Sequence, residues 1–141
     1  MKDFIIVVLI TSIWVNLSEV LRYFLVVRPK TITYLSMVPD ISSINYKIAV
    51  IWGFLDMLLT CLYVFLFWLC AQTLGNNTKS VIISAVVAWC FFFVLFWVGM
   101  ANMNLPGWAF LIVVLPLTLI ETLVASFVAS KIYSTLDSAP A

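Results

Sequence analysis

Histidine is absent from this 141-residue chain, and charged residues make up only 9% of it. Histidine is the most frequent metal ligand and general base in proteins, so its absence leaves little basis for metal binding or catalysis. No nucleophile paired with a base and no glycine-rich phosphate loop is present either, which makes an enzyme the less favoured class. We expect no metal and no cofactor, although Glu19 or Asp56 acting as an acid or base on a lipid substrate stays open.

Positive charge is also scarce, with seven Lys and Arg residues and a formal net charge of +1. A nucleic-acid-binding protein carries a basic patch, and these seven cations are spread along the whole chain. We therefore exclude nucleic acid as a partner. The three cysteines have no CxxC spacing and lie in apolar surroundings, where we expect buried free thiols: Cys61, Cys70 and Cys90.

Apolar residues dominate what remains, at 65% of the chain with a mean hydropathy of +1.20. Crossing a hydrocarbon core of about 30 Å takes about 20 helical residues. Four runs meet that length, at 4–26, 48–74, 81–100 and 108–133, and a polar loop is predicted at 27–47. The sequence therefore predicts an all-α, integral membrane protein, a four-helix transmembrane bundle with one domain over residues 1–141 and the lipid bilayer as its surroundings.

The charges and loop composition give only a small preference for one orientation in the membrane. Lys2 precedes the first apolar run as in a signal peptide, but no small-x-small cleavage site follows, so we expect a retained helix. Cations are equally divided between the two sides of the predicted bundle: Lys2, Lys79 and Lys131 against Arg28, Lys30 and Lys47. The uncharged 101–107 loop and the Ser-, Thr-, Asn- and Pro-rich first loop resemble exported segments. We therefore expect cytoplasmic termini in a multi-pass protein of the plasma membrane or, in a bacterium, of the inner membrane.

Polar side chains interrupt the first apolar run in the stretch WVNLSEVLRYF. Ser12, Asn16, Glu19 and Tyr23 recur at steps of four, three and four, which places them on one face of a helix. Arg22 lies one turn from Glu19, and the two can neutralise each other as an i,i+3 pair. Because a charge near the bilayer centre is costly, this face is predicted to point into the bundle.

Two further acids are predicted at the same depth as this pair. With a rise of about 1.5 Å per residue, Asp56 of the second run and Glu121 of the fourth share a layer with Glu19 and Arg22. Three carboxyl groups beside one guanidinium cannot all stay ionised in a low dielectric without further cations. The sequence therefore predicts Glu19, Asp56 and Glu121 as cation- or proton-binding groups and Arg22 as their ion-pair or tuning partner.

Neutral polar residues are predicted to line the same pocket: Ser12, Asn16, Thr60, Asn102 and Thr118. Pro116, inside the fourth run, removes a backbone donor and is predicted to kink the helix beside Glu121. The carbonyl that this proline frees could be met by Thr118, by Thr122 or by a bound ion, or the proline could serve packing alone.

Two functions of different classes fit these features. The first is a small proton- or cation-linked transporter or channel, expected to be homo-oligomeric because four helices rarely enclose a large pathway. The second is a non-catalytic accessory or scaffold subunit of a membrane complex, whose polar stripe pairs with a helix of another membrane protein. In that case Glu19 and Arg22 form an internal pair, and Asp56 and Glu121 bond to Thr60, Asn16 or another subunit to fix the register.

Overall fold

The computed structural model describes residues 2–35, 45–105 and 107–137, and these form helices joined by short turns, without a strand. The elements are α1 (Lys2–Arg22), a π-helical segment (Tyr23–Val27), α2 (Arg28–Leu35), α3 (Tyr46–Leu74), α4 (Thr78–Ala88), a second π-helical segment (Trp89–Val94), α5 (Leu95–Asn102), a 3₁₀ turn (Trp108–Phe110) and α6 (Leu111–Asp137). They make four long helices: α1 with α2, α3 alone, α4 with α5, and α6 with its 3₁₀ turn.

All four long helices are long and apolar enough to cross a membrane. The qualifying segments are Asp3–Ile32, Tyr46–Leu74, Thr78–Asn102 and Trp108–Leu136. The prediction of four apolar helices is confirmed to this extent, and the arrangement is consistent with a multi-pass membrane protein.

The first long helix continues to Leu35 instead of ending at residue 26, so part of the predicted 27–47 loop is helical. Pro29 does not end the helix, because a π-helical segment precedes it. There the Arg28 N–H donates to the carbonyl of Tyr23, five residues back. In a regular α-helix the ring of Pro29 would clash with a backbone carbonyl of the preceding turn. The wider π-helical turn removes this clash. Residues 36–44 of the predicted loop lie outside the described residues.

A tight turn at residues 75–77 joins α3 to α4. Gly75 ends α3 with φ +80°, a conformation that side-chain-bearing residues rarely adopt. Asn77 begins α4 as its N-cap, with its side-chain oxygen accepting hydrogen bonds from the backbone N–H groups of Lys79 and Ser80. So short a turn makes α3 and α4 antiparallel neighbours.

The four long helices pack around one interior. Helix α1 contacts α3 and α6, α4 contacts the same two helices, and α3 also reaches α6 across the bundle. One apolar cluster fills the end nearer the 103–107 turn: Val15, Tyr63, Ala88, Phe93, Trp97, Phe110, Val114 and Ala125. A second fills the end nearer the chain termini: Val7, Val8, Val64, Phe67, Val81 and Ala129.

Candidate functional site

The most deeply buried charged side chain in the described residues is Glu121 of α6, which is only 1% exposed. Ser18 of α1 donates a hydrogen bond of 2.9 Å to its Oε2 atom. The Nε atom of Arg22 stands 3.6 Å from the same oxygen, which is an ion-pair distance but too long for a hydrogen bond. The other carboxylate oxygen, Oε1, has no hydrogen-bond partner among the described residues.

Arg22 is shared between two acids. It forms an ion pair with Glu19, three residues earlier on α1, while its Nε faces Glu121. Its guanidinium also lies over the ring of Phe93, 5.1 Å from the ring centroid, and only 8% of the side chain is exposed. Glu19 is 22% exposed and is in electrostatic contact with Glu121. One cation therefore faces two carboxyl groups at the interface of α1 and α6.

Helix α3 adds two further groups to this cluster. Asp56 is partly buried, lies within electrostatic range of Glu19 and Arg22, and accepts no side-chain hydrogen bond from the part of the chain that is described. Two turns along the same face, Tyr63 is 2% exposed, and its hydroxyl likewise finds no partner within the described ranges. Tyr63 lies within electrostatic range of all four charged groups. We call Glu19, Arg22, Asp56, Tyr63 and Glu121 the charged cluster.

The buried face of α1 is rotated from the predicted polar stripe by one residue. Thr11, Val15, Ser18 and Arg22, again at steps of four, three and four, turn toward the interior. The predicted stripe of Ser12, Asn16, Glu19 and Tyr23 lies beside this face and is half-buried beyond Ser12. Asn16 accordingly lies near Gly53 of α3, where a Cβ atom would stand 3.8 Å from its Oδ1.

Most of the side chains that were predicted to line the pocket donate hydrogen bonds to the backbone of their own helix. The donor and acceptor pairs are Ser12 to Leu9, Asn16 to Ser12, Thr60 to Asp56, and Thr118 to Val114 and Leu115. Such bonds satisfy a polar side chain inside an apolar helix without a ligand. Asn102, the last residue of α5, is exposed at the end of the bundle. No polar contact joins these five side chains to the charged groups in the described part of the chain.

Pro116 lies inside α6, and its ring is exposed on the outer face of the helix. Two hydroxyls were possible partners for the carbonyl that the proline frees, but both donate to other carbonyls. Thr118 donates to Val114 and Leu115, and Thr122 donates to Leu119. Trp89, the first residue of the second π-helical segment, donates 2.9 Å from its indole N–H to the Leu115 carbonyl. This bond fastens the third long helix to α6 just before the proline.

Two cavities lie at the other end of the bundle. One of about 210 Å³ adjoins the 75–77 turn and is lined by Phe67, Trp68, Ala71, Gln72, Asn76 and Tyr133. A groove of about 330 Å³ with largely apolar walls lies between the start of α1 and the end of α6: Ile6, Ile10, Lys131, Ile132, Thr135 and Leu136. Neither is lined by a member of the charged cluster. Among the described residues, no three Cys, Asp or Glu side chains are placed to hold one metal ion.

Several residues at the cluster are not among the predicted site residues, and Ser18, Tyr63 and Phe93 are examples. Ser18, which bonds to Glu121, and Tyr63, which follows Asp56 at helical spacing, could have been found from periodicity. Phe93 under Arg22 has no such signal, because it stands in the run of apolar aromatic residues WCFFFV. The cysteines also differ from expectation, since Cys61, Cys70 and Cys90 are free but only partly buried.

No protein-family model, no curated protein and no solved structure matches this chain.

Proposed function

We propose that this is an integral membrane protein that carries a monovalent cation, H⁺ or Na⁺, at its charged cluster, as a small transporter or channel. The observation that carries the proposal is the state of Glu121. This carboxyl group is almost fully buried, one of its oxygens has no partner among the described residues, and its nearest cation is shared with Glu19.

Charge balance supports a role in cation binding. Arg22 can neutralise one of the three acids in the cluster, and a second buried carboxylate without a counter-ion is strongly disfavoured in a low dielectric. A bound cation removes that penalty, so the cluster is expected to take one up from the aqueous phase. Ionisable groups inside membrane-spanning helices commonly mark ion pathways for this reason.

Access from one surface is supported by the positions of the three acids. Asp56 and Glu19 are partly exposed, whereas Glu121 is buried behind Arg22. Asp56 lies nearer the Tyr46 end of α3 than its Leu74 end, and Glu121 lies near the middle of α6. An ion entering from the Tyr46 end would meet Asp56 and Glu19 before Glu121.

Flux in reconstituted liposomes tests this function. The purified protein is expected to dissipate an imposed H⁺ or Na⁺ gradient, read with pH- and sodium-sensitive dyes. Glu19→Gln and Asp56→Asn are each expected to slow the flux by about tenfold or more, the factor that corresponds to about 1.4 kcal/mol. Asp3→Asn, which changes an exposed acid at the start of α1, is the matched control and should keep the wild-type rate. If all three variants match the wild type, the cluster has no part in transport.

A second function is favoured by one observation, the half-exposed carboxyl of Asp56. In a bilayer such a group has to meet water or a polar group of another helix. An accessory subunit would cover Asp56 with a helix of its partner, and a homo-oligomer would cover it with a second copy. Affinity purification in mild detergent, with identification of the co-eluting proteins, separates these cases. A stoichiometric partner that is lost in Asp56→Leu, together with absent flux, would favour the subunit.

A further inference from the structure

The position that an added metal ion would take in the charged cluster is already filled by a guanidinium. Arg22 pairs with Glu19, stands 3.6 Å from Oε2 of Glu121 and covers the ring of Phe93. A hard cation needs several oxygen ligands around it. A sodium ion would therefore have to compete with Arg22 for the same carboxylate oxygens.

A proton needs fewer ligands than a metal ion, since a single oxygen binds it. Oε1 of Glu121 is buried and has no hydrogen-bond partner in the described residues, while Oε2 is engaged by Ser18 and faces Arg22. The carboxyl of Glu19 is close enough to interact with that of Glu121. One proton can therefore rest on Glu121 while Arg22 keeps its place.

The groups around Glu121 form a series from exposed to buried. Helix α1 contributes Glu19 and Arg22, α3 contributes Asp56 and the hydroxyl of Tyr63, which has no partner among the described residues, and the third long helix contributes the ring of Phe93 beneath Arg22. Asp56 is within electrostatic range of Glu19, and Glu19 is in contact with Glu121. A proton that passes from Asp56 to Glu19 and then to Glu121 would move from the more exposed groups to the buried one.

We propose that the ion handled by the charged cluster is the proton, delivered to Glu121 by way of Asp56 and Glu19; this inference rests on the proposed transport function. In the inward step an O–H bond of Glu19 breaks and an O–H bond forms at Oε1 of Glu121. Glu19 is then the carboxylate that pairs with Arg22, and Glu121 is neutral. The reverse step returns the proton, so no other reactant is consumed.

Two measurements on the full chain in liposomes test this proposal. The first is flux with Na⁺ replaced by choline, which should leave the rate unchanged as long as the pH gradient is kept. The second is infrared difference spectroscopy across a pH step, in which the C=O stretch of a protonated carboxyl should appear and should be lost in Glu121→Gln. Glu121→Asp, which keeps the carboxyl group, should restore a shifted band, and Asp3→Asn should leave the wild-type band unchanged.

The outcomes separate this inference from the proposed function. Flux that stops without Na⁺ would overturn the proton assignment and leave transport standing. A carboxyl band that responds to pH and is lost in Glu121→Gln, with no flux of either ion, would support the proton site and overturn transport. A spectrum unchanged by Glu121→Gln would overturn the proton site. A shifted band in Glu121→Asp would show that the loss of the band in Glu121→Gln is not caused by misfolding.

Discussion

At the scale of single residues, Arg22 is the side chain on which the charged cluster depends. It holds Glu19 directly, faces Glu121 and stacks on Phe93. Removing one partner of a buried ion pair leaves an uncompensated charge, which costs more than the pair itself contributes. The stability of the bundle should therefore respond to Arg22 and Glu121 together rather than separately.

Arg22→Gln is expected to lower the free energy of unfolding by about 3–5 kcal/mol, because it strands buried carboxylates. Adding Glu121→Gln to it should restore part of the loss, since the second change removes one stranded charge. The double-mutant cycle, measured by SDS-induced unfolding in mixed micelles, should give a coupling energy of about 0.5–3 kcal/mol. Additive effects of the two substitutions would show that Arg22 and Glu121 do not interact.

Ser18→Ala is expected to lower the free energy of unfolding by about 0.5–2 kcal/mol, because it removes a hydrogen bond to the buried Glu121 carboxyl. Ser134→Ala is the matched control: Ser134 is exposed and donates only to the backbone of its own helix, at Lys131. The same unfolding assay applies. If both variants lost the same free energy of unfolding, the hydrogen bond from Ser18 to Glu121 would make no measurable contribution to stability.

Helical spacing predicted part of this cluster but not its rotation. The i,i+3 relation of Glu19 and Arg22 follows from 3.6 residues per turn, and the layer that they share with Glu121 follows from a rise of about 1.5 Å per residue. The centre of the buried face at Thr11, Val15 and Ser18 does not, because these short side chains carry a weaker polar signal than Asn16 and Glu19. Small hydroxyl and aliphatic groups such as Thr11 and Val15 let neighbouring helices approach closely, whereas Asn16 and Glu19 lie beside that contact and are only half-buried.

At the scale of elements, distortions of the helices cluster near the charged groups. One π-helical segment begins directly after Arg22, and the other contains Phe93, over which Arg22 lies. Segments of π-helix occur frequently at functional sites, where they redirect side chains. The sequence indicated neither segment, since no residue type specifies a π-turn. The end of the apolar run at residue 26 also placed the end of the first helix too early, because the helix continues through polar residues to Leu35.

Gly75→Ala is expected to destabilise the protein by about 1 kcal/mol, because its φ of +80° is strained for any residue with a Cβ atom. Gly99→Ala is the matched control within a helix: nothing lies within 4 Å of the added Cβ atom. Alanine favours the helix there, so this variant should be neutral or more stable by up to about 1 kcal/mol. SDS-induced unfolding reports both changes. If Gly75→Ala were as stable as Gly99→Ala, the turn would not require a residue that readily adopts a positive φ.

At the scale of the whole molecule, four long helices of alternating direction put Lys2, Asp137 and the 75–77 turn at one end of the bundle, and Leu35, Tyr46 and Trp108 at the other. This topology follows from the number of long helices, which hydropathy alone predicted. Hydropathy could not predict which helices touch, because lipid-facing and interior surfaces are both apolar in such a bundle. Nor could the count of cations decide the orientation, since it is equal on both sides.

Cysteine accessibility in intact cells tests the predicted orientation. After replacement of the native cysteines by alanine, Met103→Cys should react with a membrane-impermeant maleimide, because its loop is expected outside. Lys79→Cys should react only after the membrane is permeabilised. Both positions are exposed, so access to the reagent is matched. The reverse labelling pattern would place the termini outside the cytoplasm.

The proposed ion transport depends most on Glu121, whose buried carboxyl group is the proposed ion carrier. The direct measurement is the rate of gradient dissipation in liposomes that contain equal amounts of folded wild-type protein or Glu121→Gln. We expect ion flux through the wild type, and in the variant a rate at the level of protein-free liposomes. A wild type no faster than protein-free liposomes, or a variant as fast as the wild type, would contradict the account.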